Sequence, residues 1–470
     1  MAIVLTLCAA YVAYCLGTNP AGPFTTPDSI RYLEAWPMYS LGYPIFLKIV
    51  GARGAIIVQP VLFGAALAFL GSEIVRLTRS TWLAVAVLIA TMALPQIREF
   101  HASILSESLF LSLLISFLAL AIRFSYSSRW QLMALVAMTA GLAGTVRRTG
   151  FALVPVMLVM VLLERRRLKG PQAALLLVAA LVPFLAIVGA EQAIAPIMHN
   201  GRTSSLMGRH MFAKAALIDA PPALAGAAAG KPGADADPVR AALDRHLEND
   251  YAPIRAFLAS APRDLRAALS LYYETCLQGG CVDRSREVMP DLDEAEQTRT
   301  LARAANARMA RAPLAFLDLL ALNYGSLWTF DRLRHPDRAE RLTAFVAAHR
   351  PMPFERFAFS LEPDQVLAFH PSPRIRYAQW ATTALAIWTA LLALAGLVGI
   401  AMPEKLSPIF TVAALAALTA EACLLLTATT AAGFARFTLG IWPAIVTAAL
   451  CGAWALLPVR MKADPHITAR

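Results

Sequence analysis

The sequence predicts an all-α polytopic membrane protein with about ten transmembrane helices and one long hydrophilic loop region. Two observations carry that reading. Of 470 residues, 58% are hydrophobic and only 16% are charged, where an ordinary soluble domain carries about 25%. The hydrophobic residues are also gathered into blocks, approximately 2–17, 54–75, 81–95, 104–122, 131–146, 151–163, 172–197, 378–400, 408–428 and 437–457. Each residue of a helix rises about 1.5 Å, so roughly 20 apolar residues cross the hydrocarbon of a bilayer.

The first block lacks the positive n-region and the small-x-small cleavage site of a signal peptide. It is short for a span, and a start that has lost a few cytoplasmic residues would account for that. The blocks 131–146 and 151–163 are also short, and predict a hairpin whose tip, Arg147-Arg148-Thr149-Gly150, sits at or just below the interface.

Basic residues in short loops set orientation. With the N-terminus inside, the inner segments 76–80, 123–131, 164–171, 401–407 and 458–470 hold twelve Lys or Arg over 42 residues. The outer segments 18–53, 96–104, 147–150 and 429–436 hold seven over 57. The run from Glu164 through Arg165, Arg166, Arg167 and Leu168 to Lys169 is the strongest inner anchor. The net charge of +11 and pI near 9.6 therefore reflect helix ends and lipid headgroups. No nucleic-acid-binding motif accompanies the basic residues.

Three regions follow: 1–197 with seven spans and a first outer loop at 18–53, an extracytoplasmic, mainly helical region at 198–377, and a three-span module with a cytoplasmic tail at 378–470. Within the hydrophilic region, 220–238 is an Ala/Gly/Pro-rich linker. Residues 239–276 and 291–311 read as helices. Residues 313–330 are apolar but interrupted by Asp318 and Asn323, which suits a helix lying on the membrane surface. Five prolines in 351–373 predict an extended loop. No repeat of fixed period is present.

Cys8, Cys15, Cys423 and Cys451 fall in apolar blocks, where cysteine packs as a small hydrophobe. Cys276 and Cys281, in Thr-Cys-Leu-Gln-Gly-Gly-Cys, are expected to form a short-loop disulfide if that region is extracytoplasmic. The pair offers too few ligands for a zinc site.

Three segments carry residues suited to chemistry. In the first outer loop, Thr26-Pro27-Asp28-Ser29-Ile30-Arg31-Tyr32 opens an amphipathic helix, and Gly42-Tyr43-Pro44 reads as a turn back into the membrane. Asp28 is either a helix cap or a catalytic carboxylate. The second segment, Arg98 to Phe110, holds His101 and Glu107 on the same outer face. A charge where a span enters the membrane calls for a partner or a function, although Glu107 also suits a helix N-terminus. The third is the hairpin tip, where Arg147 and Arg148 match the paired hydrogen bonds of a phosphate, or stand as solvated loop charges.

In order and sidedness these segments resemble the C-type (GT-C) superfamily of membrane glycosyltransferases, which includes protein O-mannosyltransferases, oligosaccharyltransferases and the aminoarabinose transferase of lipid A. The matching features are Asp28 with Gly42-Tyr43-Pro44, Ser106-Glu107-Ser108-Leu109-Phe110, Gly141-Leu142-Ala143 through Arg147 to Pro155, and the late Ala435-Arg436-Phe437. They cover residues 1–197 and, more thinly, the last spans. Many members carry two adjacent acidic residues in the first loop, whereas here Asp28 is followed by Ser29. That departure favours a single carboxylate without a tightly held divalent metal.

The resemblance implies a hexosyl- or pentosyltransferase that uses a polyprenyl-phosphate-linked sugar donor. Asp28 would be the catalytic base, Arg147, Arg148 or Arg436 would bind the donor phosphate, and His101 and Glu107 would orient acceptor or sugar. The acceptor would be a lipid, glycan or protein hydroxyl. The site would face the periplasm or cell exterior of a bacterial inner membrane, in contact with membrane lipids. A different class, a secondary transporter or lipid flippase, would rest on Glu421 and Glu191 within apolar blocks, although paired broken helices are not evident. A third is a noncatalytic membrane scaffold.

Overall fold

A computed structural model describes residues 1–37, 39–165, 170–199, 206–220, 238–261, 289–328, 374–399, 407–430 and 435–457, together with positions 266 and 270. Among them every element is helical, apart from one isolated bridge between Phe24 and Ser103. In chain order the first helices are α1 (Ala2–Thr18), α2 (Pro27–Leu33), α3 (Gly42–Thr78), α4 (Thr81–Met92), α5 (Pro95–Ala102) and α6 (Ser106–Ser127). They are followed by α7 (Trp130–Val146), a 3-10 turn (Arg148–Ala152), α8 (Leu153–Arg165) and α9 (Gly170–Met198). Next come α10 (Leu206–Leu217), α11 (Pro238–Arg245), α12 (Ala252–Ser260), α13 (Glu294–Arg311) and α14 (Pro313–Leu327). The last are α15 (Arg374–Gly399), α16 (Pro408–Thr430), α17 (Ala435–Leu439) and α18 (Trp442–Leu456).

Each apolar block of the sequence is helical for most of its length. Five helices, α3, α6, α9, α15 over Ala381–Gly399 and α16, are long and apolar enough to cross a membrane. The pair α4 and α5 passes the same test jointly but is bent by 64°. That bend falls at Leu94 and Pro95, where the proline disfavours helical backbone in the residue before it; Leu94 is extended at ψ 118°. The shorter apolar helices are α1, α7, α14 and α18.

Two sequence expectations change. Gly42-Tyr43-Pro44 is not a turn but the first turn of α3, where proline is tolerated because the first amides of a helix have no intrahelical acceptor. The break in that helix lies at Gly51, whose φ of 72° suits a residue without a Cβ. The segment 96–104, counted among the short loops between apolar blocks, is largely occupied by α5.

The chain forms two compact units. The first comprises Met1–Gly201, Leu385–Cys423 and Leu439–Arg470. In it α3 packs along α6 and α1, α7 along α9 and α6, and α18 against α4, where Trp442 Nε1 donates to Ala90 O at 2.9 Å.

The second unit comprises Arg202–Ala384 and Leu424–Thr438. Its core of Phe212, Leu247, Tyr251, Ile254, Leu301 and Ala305 lies between α10, α13 and the stretch formed by the helical turn His246–Asp250 and α12. Two buried arginines close the C-terminal end of α10, where carbonyls lack helical partners. Arg308 donates to Ala215 O and Ile218 O, at 3.0 and 3.1 Å. Arg255 donates to Ala216 O at 3.1 Å and, from the other side, to Leu247 O and Glu248 O. Burial, with Arg255 alongside, lowers the Arg308 pKa to about 10, so it keeps its charge at neutral pH.

Candidate functional site

The site is built on the segment between α1 and α3, in the first unit. Helix α2 is capped by Thr26, whose amide donates to Ser29 Oγ at 2.8 Å. Ser29, fully buried, passes its own hydrogen to Ile104 O at 2.9 Å. Capping is therefore done by Thr26 and Ser29, and the cap reading of Asp28 drops away. Asp28 stands in the first helical turn with its side chain 23% exposed. Its Oδ1 accepts the Tyr39 hydroxyl at 2.9 Å and lies 3.6 Å from Arg31 Nη1, which also donates to the Tyr39 oxygen at 3.0 Å. Burial first, and the Asp28 carboxylate besides, push the Tyr39 phenol above its ordinary range, so it remains the donor in this bond.

The loop is stitched to the α5–α6 junction. Phe24 exchanges backbone hydrogen bonds with Ala102 O and the Ile104 amide, at 2.9 and 3.1 Å. Tyr32, packed edge-on against Tyr39 and Tyr43, meets Ser106 Oγ at 2.9 Å. Ser106 precedes Glu107, which is buried in the first turn of α6 and pairs with Arg147 Nη1 at 2.9 Å. Burial, followed by the Glu107 charge, raises the Tyr32 phenol, which also senses Arg147 and Asp28. Asp28, Tyr32, Glu107 and Arg147 thus belong to one electrostatic neighbourhood, in which Asp28 also acts on Arg147.

Close backbone approach fixes the hairpin tip. A Cβ at Gly150 would lie 2.3 Å from the Ala143 carbonyl carbon, and one at Gly42 would lie 2.7 Å from the Thr145 carbonyl. The tip therefore folds onto the end of α7 and against the start of α3. Arg147, at the C-cap of α7, turns inward and is 15% exposed. Arg148 turns outward, 52% exposed, and its guanidinium lies over the Phe151 ring at 5.6 Å. It pairs with the buried Glu191 of α9 at 3.2 Å, and the other oxygen of Glu191 accepts the Leu41 amide at 2.9 Å. One carboxylate thereby ties the hairpin tip to Leu41, at the start of α3.

The structure thus pairs Glu107 with Arg147 and sets Asp28 within electrostatic reach of Arg147, while Arg148 pairs separately with Glu191, which holds the Leu41 amide. His101 is not among them. It is fully buried, with Nδ1 2.7 Å from Ser108 Oγ and its ring packed against Phe63 and Tyr11. Its imidazole packs beneath the α5–α6 junction, away from the Asp28 carboxylate's own hydrogen-bond partners. Arg436 lies on α17, and its side chain falls outside the described residues, as do Cys276 and Cys281. Among the described residues no group of three or more His, Cys, Asp or Glu is placed to hold a metal.

Sequence reasoning did not find Tyr39 or Arg31, whose roles come from a fold-back over eight to eleven residues. It weighed Glu191 only as a proton carrier. A carboxylate near the end of an apolar block was the available signal, but its partners lie 43 and 150 residues away.

Comparison with models of protein families, with curated proteins and with solved structures returned no match.

Proposed function

We propose that the chain is a membrane glycosyltransferase that moves a sugar from a polyprenyl-phosphate carrier to an acceptor hydroxyl at the outer face of a bacterial inner membrane, with ten spans and a periplasmic site. The observation that supports this best is Asp28. It is freed from capping, oriented by Tyr39 and Arg31, and shares its electrostatic neighbourhood with the arginine-bearing hairpin tip.

In this reading Asp28 takes the proton of the acceptor hydroxyl as its oxygen bonds to the anomeric carbon. The bond from that carbon to the phosphate oxygen breaks, and the phosphate leaves with the electron pair. Arg148, the more exposed of the two tip arginines, meets that phosphate, while Arg147 stays with Glu107 and backs the site with positive charge. Glu107 is then a positioning residue for Arg147 rather than a contact for the sugar. The lipid donor suits a site at the membrane surface, where no nucleotide sugar is supplied.

The test is turnover of a polyprenyl-phosphate-linked radiolabelled sugar by the purified protein in detergent. Transfer that falls about 10²–10³-fold in Arg148→Ala, the range seen when a transition-state donor is removed, supports the reading. Absence of transfer across a panel of hexosyl and pentosyl donors counts against it.

A second reading, proton-coupled transport, rests on Glu421, which is buried in α16. Glu191, its other support, has the Leu41 amide and Arg148 as partners. Loss of proton-driven uptake in Glu421→Gln, with Asp28→Asn unaffected, would favour transport.

A further inference from the structure

We propose that α14 is an interfacial helix that docks the second unit onto the bilayer, its occupant being the lipid leaflet at which α16 emerges. The proposal is independent of the chemistry assigned to Asp28.

The helix has two apolar faces. Leu319, Leu322, Asn323 and Ser326 turn into the second unit and are buried. On the other side Leu314 is 79% exposed and Leu317 54%, with Ala321 exposed beside them. At about 100° per residue these three fall on one stripe, flanked by Leu320 and Tyr324. The stripe carries no charge. Asp318, at its margin, is turned to Arg266 at 3.2 Å. A core-facing helix of a water-exposed unit ordinarily presents polar residues on its outer side, and a continuous apolar outer stripe marks a surface that meets something apolar.

The position of the helix identifies what it meets. Thr438 Oγ1 donates to Leu327 O, pinning the C-terminal end of α14. Thr438 closes the short segment that follows α16, and the last turns of α16, from Leu424 to Thr430, belong to the same unit as α14. Since α16 is long and apolar enough to cross a membrane, its end marks the bilayer surface, and α14 is fastened there. With 15 residues, α14 is about 22 Å long, too short to cross roughly 30 Å of hydrocarbon. A helix of that length with one face on protein and an uncharged apolar outer stripe suits the headgroup–acyl boundary.

The experiment places a nitroxide label at Leu314→Cys or Leu317→Cys in the full-length protein, in nanodiscs of phosphatidylethanolamine and phosphatidylglycerol. Asn306→Cys, exposed on α13, is the water-facing control, and labelling of the unsubstituted protein is subtracted. Because both leucines are largely exposed, the substitutions leave the core intact, and each variant is required to elute as one species. Collisions with lipid-soluble oxygen should exceed those with a water-soluble nickel chelate at 314 and 317, with the order reversed at 306. Nickel access at 314 and 317 equal to that at 306 would overturn the proposal. So would exclusion of both reagents, which would mean that protein covers the stripe.

Discussion

The carboxylate of Glu191 holds two things at once, and Glu191→Gln separates them. The amide oxygen of Gln still accepts the Leu41 amide, now held at 2.9 Å, so the tie between loop and α9 survives. What disappears is the charge opposite Arg148, 3.2 Å away. Arg148 is half exposed, and a pair of that kind is worth no more than about 1 kcal/mol. Stability in detergent should therefore change by about 1 kcal/mol or less. Glu191→Ala differs, because it strands the buried Leu41 amide at a penalty of about 1–3 kcal/mol. The same substitution removes the anion that competes for Arg148, so a polyprenyl phosphate should bind Glu191→Gln more tightly, by up to about fivefold for 1 kcal/mol. Thermal unfolding and equilibrium binding of a short-chain polyprenyl phosphate measure the two effects. Equal destabilisation by Gln and Ala, or weakened phosphate binding in Glu191→Gln, would refute the assignment of separate roles.

Gly150→Ala should destabilise the hairpin by about 1–3 kcal/mol, because its Cβ would meet the Ala143 carbonyl carbon at 2.3 Å; thermal unfolding reads this. Arg308→Met should lower the stability of the second unit by about 3 kcal/mol, since it leaves Ala215 O and Ile218 O without their donors; limited proteolysis between α10 and α13 would detect it. His210 titrates in the folded protein near pH 4 rather than 6.5, chiefly through burial and then through Lys214. The unfolded chain therefore binds the proton first, and stability present above about pH 6.5 is lost as pH falls toward 4, by on the order of 3 kcal/mol at most. His210→Gln should flatten that part of the pH profile of unfolding.

The helical membrane character was legible because block length and hydropathy are local properties: α6, α9 and α16 lie where their apolar runs lie. The ends of elements were less legible. Gly42-Tyr43-Pro44 carries the residues of a turn, yet it opens α3, because the contact that fixes Gly42 is with Thr145, far along the chain. Asp28 stood out as an acidic residue after proline, but whether it capped the helix depended on Ser29 and on its bond to Ile104. The pairing of two arginines with two carboxylates at the hairpin tip was invisible for the same reason. Arg147 and Arg148 read as a phosphate clamp, whereas in the fold each already has an acidic partner and only Arg148 faces outward. The packing of His101 beside Phe63 and Tyr11 was likewise illegible, because those rings come from α3 and α1.

The most direct test of the account is the rate of sugar transfer by Asp28→Asn from a polyprenyl-phosphate-linked donor, measured with its unfolding temperature. Asn keeps the side-chain oxygen that accepts the Tyr39 hydroxyl, and Thr26 and Ser29 rather than residue 28 cap the helix, so folding should be preserved. Asn cannot take up the acceptor proton, and turnover should fall by about 10²–10⁴-fold. Turnover close to that of the unsubstituted protein, at an unchanged unfolding temperature, would show that Asp28 is not the base and would contradict the account.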